Sequence, residues 1–512
     1  MSATAGHPPL LIGELFRRNA AVVPDRVAAS LEEATLTHGQ LDELGNQMAW
    51  TLRALGVRWG DRVVAWADTC LELLPLFVGL SKLGAAFAPV NARLEPAEAT
   101  GVVALARPTL LLVDAEREPV AGRVARGARV PNWGVIQTPA TGTPSDALDL
   151  SPDGLSPRTE HYVEHALREN DPHVLFFTSG STGRPKGVVL SHRANFLRSF
   201  QGVFRDEPEK TVCMFPLFHM AAFTLGLSAW QTRGEIAFVR HATAEAILAA
   251  VERRKANRFY GIPLVWSRIL EVDPERYDLS SLRALDTGTQ AVPPQLIETL
   301  KQRFPGTVTR VYYGSTEVGS GTTLPDADVL RKPGSVGPAS PGAELRLTEE
   351  GEICIRSPFL TDGYFDDPEA TAEAMRDGWF HTGDLGALDD DGYLSVIGRK
   401  KELIRTGGES VAPSELEKVL ADCPGIAEVA IVGVPDPDWG EVVAAVVVPA
   451  PGGAPDLAAI QGHCEGRLAG FKKPRRLAIV DAVPRTVATG QIQRPLLVEQ
   501  LQSGGLEMER ER

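Results

Sequence analysis

Several features that would place a protein outside the globular enzymes are missing from this 512-residue chain. No apolar run reaches the roughly 18 residues that a membrane-spanning helix needs. The formal net charge of −14 at pH 7 argues against a general nucleic-acid binder, because such proteins carry basic surfaces. Residues 1–18 lack a basic start followed by an apolar stretch, so no signal peptide is expected.

Cysteine is scarce, and its five occurrences are scattered without CxxC spacing, at Cys70, Cys213, Cys354, Cys423 and Cys464. An odd number without metal-ligand spacing indicates reduced core cysteines in a cytoplasmic protein and predicts no zinc site. What the chain does contain is 43% hydrophobic and 23% charged residues, which is typical of a globular protein. At this length two or more domains are expected.

The most informative stretch is Phe176–Leu190, which reads FFTSGSTGRPKGVVL. Apolar runs on both sides predict two strands, and the residues between them are suited to binding a polyphosphate through close backbone N–H groups, hydroxyls and one cation. These residues are Thr178, Ser179, Gly180, Ser181, Thr182, Gly183 and Lys186. Pro185 stands directly before the lysine and a strand follows it, so the stretch is not a Walker A motif. The phosphates are expected on a loop between two strands.

The rest of the N-terminal region alternates between two kinds of periodicity. Apolar steps of three and four predict helices over 41–55 and 71–83, and short apolar runs predict strands over 62–66, 85–90 and 109–113. This alternation favours βαβ units and a parallel sheet. Residues 130–170 are polar and punctuated by Pro and Gly, and they are interpreted as a surface connection.

A second polar motif, YYGSTE, occupies residues 312–317. Tyr313 offers a flat face for stacking on adenine, next to Gly314, and Thr316 can donate to a phosphate oxygen. Glu317 is a candidate Mg²⁺ ligand, because this hard cation prefers oxygen ligands and usually binds through carboxylates together with substrate phosphates.

Together with 282–294, 379–385 and 398–417, these motifs resemble those of the ANL superfamily of adenylate-forming enzymes, which includes acyl-CoA synthetases, peptide-synthetase adenylation domains and luciferases. The resemblance covers nearly the whole chain. It implies an α/β fold whose N-terminal domain, residues 1–398, holds βαβ sheets and a small β-barrel-like subdomain. A hinge at 399–401 and a mobile α+β domain at 402–512 would follow. The implied chemistry joins a carboxylic acid to AMP from ATP, with Mg²⁺, and then to coenzyme A.

The resemblance also assigns roles to particular residues. In the adenine-binding turn, Gly288 matches the family pattern but Thr289 and Gln290 do not, so the contacts to adenine must differ. The remaining matches are the ribose-binding Asp384 and Arg399, the hinge residue Lys401, and the turn Gly407–Gly408 that would line the pantetheine tunnel. The basic cluster at 471–476 can meet CoA phosphates or form a solvated edge.

His219 falls where relatives carry an aromatic or His side chain lining the acyl pocket, and it is either a gate or a structural residue. Enzymes that activate amino acids have an Asp beside the preceding Phe, whereas Phe218 here is followed by His219, which favours an uncharged acyl tail. Small residues at 221–222 and 319–321 indicate room for a bulky or ring-bearing acid.

The main departure from the family pattern lies at Gln491, in PRTVATGQIQRPLL at residues 484–497. Relatives have a Lys there, which bridges the attacking carboxylate and the α-phosphate during adenylation, and residues 484–512 contain no Lys. A neutral amide cannot stabilise two anions driven together, and losing one such group costs about 10²–10³ in rate. Arg485 and Arg494 are the nearby cations.

The hypothesis is therefore an acyl-CoA ligase that is deficient in adenylation but competent to make the thioester from acyl-AMP, with a separate ligase supplying the adenylate. The alternatives are a complete ATP-dependent synthetase, a ligase that loads a carrier protein, and a non-catalytic ligand sensor that retains the fold. A homodimer is a common state for such soluble enzymes.

Overall fold

The computed structural model describes residues 9–137, 147–179, 185–200, 207–273, 276–486 and 490–510. Within those ranges no helix combines the length and apolar character that crossing a bilayer requires. A large N-terminal domain and a smaller C-terminal domain, both mixed α/β, make up the protein. All five cysteines are free and buried, as their spacing predicted.

The helices of the described ranges follow the predicted alternation with strands in the N-terminal half. They are Ile12–Val22, His38–Ala54, Leu73–Leu83, Pro96–Ala106, Glu118–Gly127, His192–Ser199, Met220–Gln231, Ala244–Arg254, Pro263–Glu271, Pro294–Arg303, Pro368–Ala374, Pro413–Leu420, Leu457–Cys464 and Arg494–Gln502. Short 3₁₀ turns occur at Pro152–Gly154, Lys400–Glu402 and Gly470–Lys472.

Two eight-stranded, mostly parallel sheets form the large domain. In spatial order the first contains Gly319–Leu324, Val308–Ser315, Ala284–Gly288, Arg258–Tyr260, Lys210–Cys213, Glu235–Phe238, Val27–Leu31 and Ala34–Thr37. The second contains Gly363–Tyr364, Pro185–Ser191, Pro172–Ser179, Ala86–Val90, Arg62–Trp66, Leu110–Val113, Asn132–Val135 and Leu148–Asp149. Antiparallel pairs occur at the edges of both.

One hydrophobic cluster joins the two sheets. It contains Phe87 of the second sheet, Val212 of the first, and Phe77 of the helix Leu73–Leu83, which is buried along its whole length. A helix that is apolar on all sides is stable only when it is enclosed by other elements. The two sheets are therefore held together by a shared core, which fixes the site-bearing edges of both.

The interpretation of 130–170 as a surface connection is wrong in part. Asn132–Val135 pairs in parallel with Leu110–Val113, and Leu148–Asp149 pairs with it in turn. The local sequence hides these strands because they are short and only half apolar, whereas the neighbouring sheet edge supplies the hydrogen bonds that stabilise them.

A five-stranded antiparallel sheet occupies the part of the chain where the small β-barrel-like subdomain was expected. Its strands are Glu344–Leu347, Glu352–Arg356, Met375–Arg376, Trp379–Leu388 and Leu394–Arg399. The last strand leads directly into the 3₁₀ turn Lys400–Glu402, and the C-terminal sheet follows. Lys401, the predicted hinge residue, lies in this single turn.

The C-terminal sheet contains Glu409–Val411, Ile404–Thr406, Gly440–Pro449, Arg476–Ile479 and Glu509–Arg510, and Ile426–Asp436 pairs with Gly440–Pro449. The paired strands Ile426–Asp436 and Gly440–Pro449 are apolar at nearly every position. Alternate residues such as Ile431 and Val443 pack in one cluster, and Ala430 and Val442 pack in another. Because side chains alternate across a strand, the sheet is buried on both faces.

Candidate active site

The predicted phosphate loop joins two antiparallel strands, as expected. Pro172–Ser179 pairs with Pro185–Ser191, and this register sets Thr178 directly opposite Lys186. Gly180, Ser181, Thr182 and Gly183 lie outside the described residues. Ser191 then caps the helix His192–Ser199 by accepting a hydrogen bond from the Ala194 N–H at 3.2 Å. The lysine is therefore held on a strand rather than at a helix N-terminus.

Lys186 and Glu317 approach each other across one aromatic side chain. The Lys186 Nζ lies 4.6 Å from the centre of the Tyr364 ring. The Tyr364 hydroxyl donates to Glu317 Oε1 at 3.2 Å, and Ser315 Oγ donates to Glu317 Oε2 at 2.7 Å. A cation and an oriented carboxylate thus meet where the edges of the two large sheets come together.

Tyr364 was missed by the sequence analysis. It lies in the two-residue edge strand Gly363–Tyr364, far along the chain from both of its partners. Its sequence signal is an aromatic residue after a glycine, which is too common to single out a site.

The predicted ribose site forms a compact cluster of three side chains. Asp384 and Arg399 are register partners in an antiparallel pair, and Arg399 Nε lies 3.3 Å from Asp384 Oδ1. The Tyr313 hydroxyl donates to Asp384 Oδ2 at 2.7 Å. Burial raises the pKa of Asp384 and, more strongly, that of Tyr313. The cluster presents a carboxylate whose orientation is fixed from two sides.

The turn predicted to bind adenine follows the strand Ala284–Gly288, which pairs with Val308–Ser315. Thr289 has a φ of +70°, which is uncommon for a β-branched residue. Its hydroxyl lies 3.1 Å from the Tyr260 hydroxyl. Tertiary contacts therefore hold Thr289 in a conformation that a glycine would adopt without strain.

The chain around Gln491 lies against this turn. A Cβ added at Gly490 would be 2.6 Å from Gln290 Nε2 and 3.4 Å from Ile262 Cδ1, so the C-terminal loop packs on the large domain there. The Gln491 carbonyl accepts from the Thr486 N–H at 2.8 Å, and the Gln491 N–H donates to Thr486 Oγ1 at 3.0 Å. Gln491 is thus anchored through its backbone beside the predicted adenine turn.

The two arginines nearest to Gln491 are engaged within the C-terminal domain. Arg485 pairs with Glu428 at 2.5 Å and donates to the Gly490 carbonyl at 2.7 Å. Arg494 pairs with Glu417 at 2.6 Å and with Glu402 at 3.0 Å. Each guanidinium would have to give up a carboxylate partner to contact a substrate anion.

His219 has a structural role in addition to its position near the predicted acyl pocket. It is the N-cap of the helix Met220–Gln231, and its Nδ1 accepts from the Ala221 N–H at 3.2 Å. Its ring stacks on Phe215, with centroids 5.4 Å apart. Burial lowers the pKa of His219 to about 4, so the imidazole is neutral at physiological pH.

We expect His219→Asn to reduce the loss of stability on acidification. The folded protein binds fewer protons at His219 than the unfolded chain, so the stability due to its neutral form is present above pH 6.5 and is lost as the pH falls from 6.5 towards 4. The contribution is on the order of 3 kcal/mol, and Asn also caps helices. Chemical denaturation at several pH values measures it. His165→Asn, which removes an exposed histidine, is the control, and equal slopes in all three proteins would contradict the expectation.

Gly407 and Gly408 form the two-residue turn of the hairpin between Ile404–Thr406 and Glu409–Val411. Their φ values of +59° and +85° fit the tight turn that such hairpins favour. The Gly407 N–H donates to the Trp439 carbonyl at 2.9 Å. The Arg475 guanidinium lies 4.1 Å from the centre of the Trp439 ring, which is partly exposed. Trp439, another residue that the sequence analysis missed, thus adds a flat surface beside the turn.

The basic cluster at 471–476 is largely paired. Lys472 pairs with Glu415 at 2.6 Å, Lys473 with Glu465, and Arg476 with Asp436 at 3.0 Å. All three pairs lie within the C-terminal domain, and their basic side chains are partly buried. Both interpretations of the cluster stay predictions, and Arg475 is the member whose guanidinium contacts Trp439 beside the glycine turn.

Comparison with known proteins agrees with this geometry. The AMP-binding enzyme family matches residues 16–365, and the AMP-binding enzyme C-terminal domain matches residues 415–489. The chain belongs to the AMP-binding enzyme family. Within the family it is 34% identical over 492 residues to a feruloyl-CoA synthase of Amycolatopsis, covering 93% of this chain and 96% of that one. It is 34% identical over 511 residues to an indoleacetate–CoA ligase of Aromatoleum aromaticum, covering 94% and 96%.

Solved structures in the AMP-binding enzyme family share the fold. ATP-bound MatB from Rhodopseudomonas palustris superposes with a TM-score of 0.84 at 28% identity, covering 96% of this chain and 99% of that one. The α/β fold expected from the sequence motifs, with a large N-terminal and a smaller C-terminal domain, is therefore confirmed.

Proposed function

We propose that this member of the AMP-binding enzyme family is an acyl-CoA ligase that converts an acyl-adenylate into an acyl-CoA thioester. The observation that carries the proposal is that four predicted residues form two pairs, and that the Glu317 carboxylate acts through space on Asp384. Lys186 and Glu317 are linked through Tyr364, and Asp384 and Arg399 form a pair. The CoA-ligase relatives, aligned over nearly their full length, support it.

The nucleotide would lie along these residues. Asp384 would accept from the ribose hydroxyls, helped by Arg399, and Tyr313 would contact the adenine. Lys186 and the Thr316 hydroxyl would contact phosphate oxygens. Glu317 fits Mg²⁺, because its carboxylate is oriented by Ser315 and Tyr364 and this cation usually binds one or two carboxylates together with substrate phosphates. When bound, Mg²⁺ would neutralise part of the phosphate charge.

In thioester formation the CoA sulfur attacks the acyl carbonyl carbon, a C–S bond forms, and the C–O bond to AMP breaks. The thiol proton is lost and AMP leaves as the anion. The Gly407–Gly408 turn lets the backbone approach a thin thiol arm closely. Lys401 lies in the turn between the two domains, which supports its assignment as the hinge within the proposed boundaries 1–398, 399–401 and 402–512.

Adenylation is the step that we propose to be deficient. The acid's carboxylate oxygen must attack the α-phosphorus of ATP and displace pyrophosphate, which brings two anions together. At the family lysine position this chain has Gln491, whose amide carries no charge. Arg485 and Arg494 are held by carboxylates in the C-terminal domain. We infer that a separate ligase supplies the adenylate.

The acid is proposed to be aromatic or otherwise bulky. Relatives named for ferulate and indoleacetate act on ring-bearing acids. In this chain the small residues Ala221, Ala222 and Gly321 lie in the segments expected to line the pocket. Neutral His219 supplies no charge to hold a polar acyl tail.

The test compares the two half-reactions in purified protein. One arm receives aryl or fatty acids with ATP, Mg²⁺ and CoA, and the other receives the matching acyl-AMP with CoA, with acyl-CoA measured by mass spectrometry. We expect the second arm to be faster by about 10²–10³, the usual cost of one missing transition-state group. A reaction without protein corrects for spontaneous acylation.

Each alternative gives a different result in this test. Equal rates in both arms identify a complete synthetase and contradict the proposed deficiency. Turnover with a carrier protein's phosphopantetheine arm but not with free CoA identifies a loading ligase. No thioester from any acyl-AMP, while nucleotide still binds, identifies a non-catalytic sensor.

A further inference from the structure

Arg198 is a buried cation behind the turn that carries Thr316 and Glu317. It belongs to the helix His192–Ser199 and is only 2% exposed. Its Nη1 donates to the Thr316 carbonyl at 2.9 Å, and its Nη2 donates to the Phe359 carbonyl at 2.6 Å. Its Nε is buried and has no hydrogen-bond partner among the described residues.

A buried arginine elsewhere in the same domain shows how unusual this arrangement is. Arg258 is 5% exposed and pairs with Asp286 at 2.5 Å and with Glu209 at 3.0 Å. Buried charges are ordinarily paired in this way, because an uncompensated charge in a low dielectric costs several kcal/mol. The hydrogen bonds of Arg198, in the part of the chain that the structure describes, go instead to neutral acceptors, which are the two carbonyl oxygens and the Met220 Sδ, 3.8 Å from Nη1. Its positive charge is therefore not cancelled by a direct carboxylate partner.

Burial lowers the pKa of Arg198 to about 10. The carboxylates of Glu317 and Asp362 act on the guanidinium through space and oppose this shift. Asp362 accepts from the Ser191 N–H at 2.9 Å. The segment after Phe359 is tied to the same turn, because the Thr361 N–H donates to the Glu317 carbonyl at 2.7 Å. Arg198 thus joins the two segments that determine where the Glu317 carboxylate points.

We propose that Arg198 is a positioning residue that holds the Thr316–Glu317 turn in place and supplies the positive potential with which this turn receives a metal–polyphosphate. The inference rests on the proposed function of Thr316 and Glu317 as the phosphate and Mg²⁺ residues. The inference predicts that loss of Arg198 weakens the binding of Mg·ATP more than the binding of AMP. Binding of Mg·ATP depends on Glu317 through the metal, whereas AMP has neither a metal requirement nor the β- and γ-phosphates.

The experiment measures dissociation constants for Mg·ATP and for AMP in the full-length protein. Arg198→Met keeps an unbranched side chain but removes the charge and the hydrogen bonds that the guanidinium donates. We expect it to weaken Mg·ATP binding at least about tenfold, consistent with loss of charged hydrogen bonds, and AMP binding by less than about threefold. The Mg²⁺ concentration for half-maximal ATP binding should rise in parallel. Arg198→Lys, which restores the charge, should recover most of the Mg·ATP affinity.

Arg193→Met is the matched control, because it removes a cation from the same helix where Arg193 pairs with Glu169 at 2.8 Å. It should bind both nucleotides like the wild type. Thermal unfolding identifies variants that remain folded. A folded Arg198→Met protein that binds Mg·ATP like the wild type overturns the inference, and so does equal weakening for both nucleotides without rescue by Lys.

Failure of the proposed function is distinguishable from failure of this inference. A wild-type protein that makes no thioester from acyl-AMP, yet loses Mg·ATP affinity selectively on Arg198→Met, overturns the ligase proposal alone. A wild type that makes thioester, with Arg198→Met unchanged in nucleotide binding, overturns the role of Arg198 alone.

Discussion

We expect Gln491→Lys to raise the rate of adenylate formation from acid and ATP by about 10²–10³. The substitution puts an ammonium group on the turn that packs against Gln290, beside the nucleotide residues. In the proposed reaction it would contact both the attacking carboxylate and the α-phosphate, whose mutual repulsion opposes adenylation. The backbone of the turn should be unaffected, because Gln491 is anchored through its own N–H and carbonyl to Thr486.

Acid-dependent exchange between pyrophosphate and ATP measures this gain directly, since it reports adenylation without CoA. The thioester rate from supplied acyl-AMP should change by only a few fold, because the sulfur attacks a carbonyl that is already activated. Gln493→Lys is the control, since it adds the same charge two residues further along. If the wild type already adenylates as fast as Gln491→Lys, another group performs the lysine's role and the proposed division of labour is wrong.

Gly288→Ala is expected to destabilise the large domain by about 3 kcal/mol or more and to abolish nucleotide binding. Gly288 has a φ of +148°, in a region that side-chain-bearing residues rarely adopt. A Cβ there would overlap the Tyr312 carbonyl oxygen and lie 2.8 Å from the Tyr260 hydroxyl. Since Tyr312 is its strand partner, the clash cannot be relieved by rotating a side chain.

Chemical and thermal unfolding, together with AMP binding, measure these losses. Gly101→Ala is the matched control. Gly101 lies in the helix Pro96–Ala106, and no atom lies within 4 Å of a Cβ added there. The alanine substitution should therefore stabilise the protein by about 0.5–1 kcal/mol. Equal stability of the two variants would mean that the turn after Gly288 shifts freely, and would contradict the rigid geometry described for it.

Local patterns were sufficient for much of the fold. The strand Arg62–Trp66 has the predicted bounds, and Lys186 lies on the second of the two strands predicted around it. The helix predicted over 71–83 spans Leu73–Leu83. These elements could be predicted from the sequence because periodicity, turn residues and capping depend on residues that are close together in sequence.

Strands with a weak apolar pattern could not be predicted from the sequence. Asn132–Val135 has too few apolar residues to stand out, and its pairing with Leu110–Val113 provides its stability. The same holds for Tyr364, whose importance comes from lying between Lys186 and Glu317. Nothing adjacent to such residues in sequence marks them, because their partners lie in other strands and loops, 22 residues away for Asn132–Val135 and more than 40 for Tyr364.

By itself the sequence determined the order of the motifs, the residues able to contact a nucleotide, and the absence of Lys in residues 484–512. Those are properties of residue type and local spacing. The tertiary structure decided that Arg485 and Arg494 are engaged by carboxylates, that Trp439 lies beside the Gly407–Gly408 turn, and that Arg198 faces carbonyl oxygens rather than an acid. The reason is physical. Burial and long-range pairing determine which charges are compensated, and they exist only once distant segments have packed together.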